Sequence, residues 1–313
     1  MEIFEVKANE FDEAIKNPYH IFCKAAFNDL NKDKCDKIFY LLFRDGKYRL
    51  GIIGGTIDNN FNSSFSAPFG GFSFISPDIR LQYIEEAIKV LDLWAVAKDF
   101  RSVCITLPPQ VYGGSFISKQ INCLWRAGYE ITQLNLNYAF NLDSLNEKYQ
   151  GNIWYNARKN LKISLNSGLK FLRCTDIYEK RLAYDIIIKN RERRGHPMRM
   201  SWDQIMRTTE LIPADFFLIF ARDHLPAASA IVFDINPECV RVIYWGELEG
   251  FTELKVMNYL SFKIFEYYKS LGKKVVELGI STENSVPNYG LCEFKEGIGC
   301  QIEPALTLTR RFK

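Results

Sequence analysis

The sequence predicts a mixed α/β protein built as two tandem domains, residues 1–145 and 146–313, and three observations carry that expectation. At 313 residues the chain exceeds one ordinary domain. Its composition, 47% hydrophobic and 25% charged, is that of a globular chain and excludes disorder, a collagen-like repeat or a simple coiled coil. The predicted elements run twice through one order: strand meander, long helix, short strand, short helix, strand.

In the first half, 38–43 and 48–53 read as strands joined at Asp45-Gly46, a hairpin signal. Residues 66–74 are rich in Phe and Gly. Ser76-Pro77-Asp78 reads as a cap followed by a helix over 77–98, with Leu81, Ile84, Ile88, Leu91 and Val96 at helical spacing. A strand over 102–107 stops at Pro108-Pro109; a helix ends near Trp125, and 132–140 alternates as a strand. In the second half, Ile153, Ala157, Leu161 and Leu165 predict one helix over 152–167 ended by Gly168. A strand over 169–173, helices over 177–194 and after Ser201, and strands over 216–222, 227–234 and 239–246 follow. A long helix over 254–271, a strand over 274–278 and a last strand over 304–311 complete the pattern.

The net charge of +3 gives no global electrostatic case for nucleic acid, and DNA is not an expected partner. No stretch is long and apolar enough for a membrane span, and residues 1–10 carry no apolar signal core, so a cytoplasmic setting is expected. The eight cysteines form no Cys-x-x-Cys pair, which reads as reduced thiols, and three scattered histidines suggest no metal site.

The segment Asn288-Tyr289-Gly290-Leu291-Cys292-Glu293-Phe294-Lys295-Glu296-Gly297-Ile298-Gly299, with Tyr244-Trp245-Gly246 and the long helix before it, resembles the Fem family of peptidoglycan aminoacyl transferases and their relatives in the GNAT superfamily of acyltransferases. Gly290, Leu291, Phe294, Lys295 and Gly299 fill the family's G-L-x-x-F-K-x-x-x-G pattern. Residues 157–162, 190–195 and the loop Pro68-Phe69-Gly70-Gly71 are weaker echoes. The resemblance implies two tandem GNAT-like domains. It also implies transfer of an acyl or aminoacyl group, from an acyl-CoA thioester or an aminoacyl-tRNA, to an amine acceptor such as a cell-wall or polysaccharide precursor. No cofactor is required beyond acyl-CoA as a possible donor substrate. A GNAT-like fold without chemistry, binding a nucleotide-sugar or a protein, is the alternative.

The residues themselves add chemistry. Leu291, Phe294 and Ile298 share one face and are expected to be core; Lys295, four positions after Leu291, lies at the edge of that stripe, from which it is expected to project into a cleft. Acyl transfer develops charge on the carbonyl oxygen, and a cation aimed there stabilises it; the family resemblance gives this lysine that role. Phe294 and Tyr289 are expected in the catalytic group with it, Tyr289, like Tyr244, as a candidate proton relay. Tyr155, Arg158, Lys159 and Lys162 lie opposite the apolar stripe of their helix, and Arg191 and Arg194 end the next; these cations are expected to dock anionic parts of a donor or acceptor. Ser281, Thr282 and Asn288 offer hydrogen bonds to substrate, and Phe69 and Gly70 the wall of an acceptor groove. At the start of the long helix, where a GNAT enzyme holds the CoA pyrophosphate, the chain carries Glu247, Glu249 and Glu253 instead of a glycine pattern. Glu247, Glu277 and Glu283 remain open as general bases, and the donor remains undecided.

Overall fold

The computed structural model describes residues 1–312. The chain begins β1 (Glu2–Val6), α1 (Ala8–Ala14), α2 (Ala25–Leu30), β2 (Lys37–Asp45), β3 (Lys47–Ile57), β4 (Asn60–Ser63), β5 (Phe72–Phe74) and α3 (Leu81–Ala97). It continues with β6 (Ser102–Thr106), α4 (Gly114–Arg126), β7 (Glu130–Asn141), α5 (Tyr149–Asn152), α6 (Tyr155–Leu165) and β8 (Lys170–Arg173). Then follow α7 (Ile177–Arg193), α8 (Trp202–Thr209), β9 (Ala214–Phe220), β10 (Pro226–Asp234), β11 (Cys239–Glu247) and α9 (Val256–Ser270). The last elements are β12 (Val275–Ile280), the two-residue strands β13 (Thr282–Glu283) and β14 (Val286–Pro287), α10 (Tyr289–Gly297) and β15 (Gln301–Arg311).

Contacts divide the chain into two units. One comprises residues 1–136, 282–286 and those from Glu303 onward; the other comprises 137–281 and 287–302. The first unit carries strands in the order β1-β2-β3-β4-β6-β15-β7, so the C-terminal strand is inserted between two strands from the first half. Its pairing with β6 runs from Thr307 opposite Thr106 to Arg311 opposite Ser102. The second unit orders its strands β7-β12-β11-β10-β9-β8 and takes residues 137–141 of β7 for its edge beside β12.

Each unit contains one parallel strand pair joined through a helix, β4–α3–β6 in the first and β11–α9–β12 in the second. A parallel pair needs such a crossover, which is why both halves of the sequence place their longest apolar helices there. In the first unit Ile84, Ile88 and Leu91 of α3 pack on Leu41, Phe43, Leu50, Ile52, Phe61 and Phe72. In the second, Leu260, Ile264 and Phe265 of α9 are buried, and Phe265 stacks on Phe140 with ring centroids 4.0 Å apart.

The β2–β3 hairpin turns at Gly46, whose φ of 66° suits glycine. Gly54 of β3 answers to a different need: a Cβ there would lie 2.3 Å from the Phe61 ring. Phe61 is wholly buried, so Gly54→Ala is expected to overpack the site by about 1–3 kcal/mol. Thermal unfolding followed by circular dichroism checks this; an unchanged melting temperature contradicts it.

Three helix boundaries differ from expectation. Ser76-Pro77-Asp78 closes a turn, Ile79 N–H to Ser76 O at 3.2 Å, and buries Ile79; α3 starts only at Leu81. The helix expected over 152–167 is broken at Ile153, which is extended and buried, and the Trp154 N–H is spent on the Gly297 carbonyl at 3.1 Å. The long helix begins at Val256 because Lys255 adopts a left-handed conformation, φ 55°. None of the eight cysteines forms a disulfide among the described residues. Among the described residues no helix is long and apolar enough to cross a membrane, and no group of three or more His, Cys, Asp or Glu is arranged to hold a metal ion.

Candidate active site

The parallel ladder between β11 and β12 is short. It runs from Cys239 opposite Val275 to Arg241 opposite Glu277 and then stops, although β11 continues to Glu247 and β12 to Ile280. A buried ion pair between Arg241 and Glu277 sits at the last paired rung. Beyond it β12 bulges between Glu277 and Gly279, and Gly279 takes a φ of 73°. A Cβ at Gly279 would meet the Arg241 guanidinium at 3.3 Å, so the guanidinium fills the space where the two strands part.

Lys295 reaches this strand end from α10. Its Nζ donates to the carbonyls of Leu278 at 2.9 Å, Gly279 at 2.9 Å and Ile280 at 3.3 Å, and lies 5.2 Å from the centre of the Tyr138 ring. The expectation of an edge lysine projecting into a cleft is therefore corrected: Lys295 is 1% exposed and, with Cys292, lies on the buried face of α10. Leu291 and Phe294, expected as core, are half-buried, and Phe294 meets Trp245 of β11 edge to face at 5.8 Å. The helix is rotated because the bulged end of β12 supplies three carbonyls that only a long cation can satisfy together. Burial pulls the Lys295 amine down to about 7, with Arg241 acting in the same direction against Cys300, Glu277 and Cys292.

The neighbouring groups hold α10 to this strand end. Tyr138 donates to Glu296 at 3.0 Å, and the Cys292 thiol to the Ser281 carbonyl at 3.6 Å. Asn288 caps α10 by accepting from the Leu291 N–H at 3.1 Å, while its own N–H bonds the Ser281 carbonyl at 2.9 Å. Tyr289, in the first turn, is 73% exposed. At this strand end two buried groups have no hydrogen-bond partner among the described residues: the Ser281 hydroxyl, and both side-chain atoms of Asn137, which pairs through its backbone with Ile280. Ser281 was legible as a candidate. Asn137 was not, because a polar residue in an alternating strand normally reads as its solvent face.

At the far end of β11, Glu247 is half-buried. Burial lifts its carboxyl above the ordinary range, while Arg194, Arg193 and Lys255 pull it down. Of the three carboxylates that stand in place of a glycine pattern before α9, this one is matched by local cations; Glu249 and Glu253 are exposed. Asn190 donates to the Glu247 carbonyl at 2.8 Å. Arg191 donates twice to the Pro197 carbonyl, at 3.1 and 2.9 Å, and lies 5.5 Å from the Tyr244 ring centre. Arg158 and Lys162 lie elsewhere, on the exposed face of α6.

The remaining candidates, Phe69, Gly70 and Thr282, belong to the first unit. Phe69 is core, packed edge-on to His20 and Phe22 and tilted against Tyr112. Gly70 bonds the Thr106 carbonyl at 2.8 Å, and a Cβ there would strike the Ser63 hydroxyl at 2.7 Å. Thr282 donates to Asn135 at 2.7 Å and accepts from the Leu136 N–H at 3.2 Å.

A helix-linked parallel pair in each unit, and a C-terminal strand inserted into the first, define the architecture. The fold is that of FemX. The crystal structure of FemX aligns over 100% of this chain and 98% of its own, with a TM-score of 0.72 at 11% identity. The structure of L-PGS from Bacillus licheniformis gives 0.59 at 12% identity, covering 98% of this chain and 91% of that one. A tandem GNAT protein from the clavulanic acid biosynthesis pathway gives 0.52 at 12% identity, covering 99% and 98%. At the level of sequence, no family model and no curated protein matches the chain.

Two cavities of this FemX-like fold lie in the first unit. One, of about 350 Å³, sits between α3, α4 and the end of β15, but Arg126 pairs there with Glu85 and Arg310 with Asp92. The other, of about 280 Å³, is lined by Lys47, Arg49, Asp78 and Arg80. Burial lifts the Asp92 carboxyl in the first cavity, but Tyr129 and Arg310 already hold it; neither cavity is lined by a buried lysine, so the chemistry favours the end of β12.

Proposed function

We propose that the protein is an acyltransferase that moves an acyl or aminoacyl group from a thioester or ester donor to an amine, at the opening between β11 and β12. One observation carries the reading: the parallel ladder ends at Arg241 and Glu277, and a buried lysine stands at the open strand end. An unpaired strand edge suits an extended, amide-bearing donor, which completes the ladder. The acceptor amine attacks the acyl carbonyl, a C–N bond forms, and the charge on the carbonyl oxygen is met by the Lys295 ammonium. The contact to Ile280, the longest of the three at 3.3 Å, is the one given up to that oxygen. Collapse breaks the C–S or C–O bond, and the leaving group takes a proton.

Glu247 is proposed as the acceptor of the amine proton, because a carboxyl lifted by burial is a better base near neutrality than an ordinary one. Arg191 and Arg194 are proposed to dock an anionic part of the donor. The orphan groups of Asn137 and Ser281 are proposed to gain partners from water or substrate.

The test is transfer of label from two donors, acetyl-CoA and aminoacyl-tRNA, to a panel of amines, read by mass. Product with either donor is expected. Its rate is expected to rise with pH as Glu247 ionises and to fall as pH passes about 7, where Lys295 loses its charge. No product from either donor contradicts the proposal.

A further inference from the structure

We propose that the exposed face of α6 is a docking surface for a bilayer carrying anionic lipids. Residues 148–173 contain six Lys or Arg and neither Asp nor Glu. Ala157, Leu161 and Ser164 of α6 face the protein and are buried. On the other side Arg158, Lys159 and Lys162 are exposed, interleaved with Trp154 at 50%, Tyr155 at 71%, Ile163 at 37% and Leu165 at 41% exposure. At 100° per residue, Trp154, Leu165, Arg158, Lys162, Tyr155, Lys159 and Ile163 fan across one continuous half of the helix circumference.

The mixture identifies the partner. Cations in a segment that carries no acid fit a negatively charged surface, and each Lys or Arg near an anionic leaflet adds affinity. Trp and Tyr carry an apolar body and a polar tip, the chemistry of the headgroup layer. Ile163 and Leu165 decide between surfaces: a phosphate backbone offers aliphatic side chains nothing, whereas the boundary between headgroups and acyl chains takes them in. Such a surface binds reversibly and adds no spanning segment.

This inference stands apart from the acyl-transfer reading, since its test measures partition and not turnover. Full-length protein is sedimented with vesicles of phosphatidylcholine alone and with vesicles of equal parts phosphatidylcholine and phosphatidylglycerol. Binding to the anionic vesicles only, weakened by added salt, is expected. Arg158→Gln with Lys162→Gln is expected to lower the partition constant about thirtyfold. Trp154→Ala, with every charge intact, is expected to weaken it as well. Melting temperatures equal to wild type establish that these exposed variants fold. Absence of binding to anionic vesicles, or equal partition by the double variant, overturns the proposal. So does retention on single-stranded RNA without vesicle partition, which would make the face a nucleic-acid surface.

Discussion

Lys295→Met should lower the turnover of acyl transfer by about 10²–10³-fold, the typical cost of removing one donor to a developing oxyanion. The Michaelis constant should change little, because the contact forms only as charge appears on the carbonyl oxygen. The same substitution should alter how stability depends on pH. The Lys295 amine sits at about 7 in the folded protein, well below the ordinary 10.5, because burial disfavours its charge. Between those values the unfolded chain binds a proton that the folded one does not, so wild-type stability rises as pH increases from about 7 towards about 10.5. Below about 7 the full penalty is paid and that dependence flattens. Lys295→Met has no amine to titrate, and this contribution should disappear in urea unfolding measured across the same range. Lys295→Arg separates the effects: its charge persists at high pH, so the fall in rate above about 7 should vanish even if the rate itself is reduced. Undiminished turnover in Lys295→Met would remove the lysine from the chemistry and leave it as the anchor of α10.

The two roles are compatible, and that explains why the site was only half legible in the sequence. The motif from Asn288 to Gly299 was readable, and so were the helix it forms and the lysine within it. Which face of α10 turns inward was not. That choice rests on the carbonyls of Leu278, Gly279 and Ile280, which become acceptors only because β12 bulges before Gly279. Apolar periodicity favoured Leu291 and Phe294 for the interior, and polar acceptors from a distant strand overrode it. The same kind of partner explains the break before α6, where the Gly297 carbonyl takes the Trp154 N–H. Hairpins and crossovers were legible because turn chemistry and the period of apolar residues are local. The insertion of β15 beside β6 was not, since no local signal tells a C-terminal strand which sheet edge it will join.

Glu277→Gln should destabilise the protein by about 3–5 kcal/mol, the usual cost of leaving one partner of a buried ion pair alone. Glu277 is wholly buried and Arg241 nearly so, and they face each other across the last rung of the parallel ladder. The neutral amide keeps an acceptor oxygen but loses the charge that compensates the guanidinium, so the loss is electrostatic and not steric. Arg241→Met combined with Glu277→Leu removes both charges and should recover most of the stability, as measured by urea unfolding. The double variant is the more informative protein for function. If the pair serves only stability, its transfer rate should match wild type. If the pair keeps β11 and β12 apart, the guanidinium beneath Gly279 is the wedge, and its removal should let the ladder extend past Arg241. A stable double variant with a raised Michaelis constant would then assign the pair to the shape of the opening. A double variant as unstable as Glu277→Gln would show that the destabilisation is not the cost of an uncompensated charge.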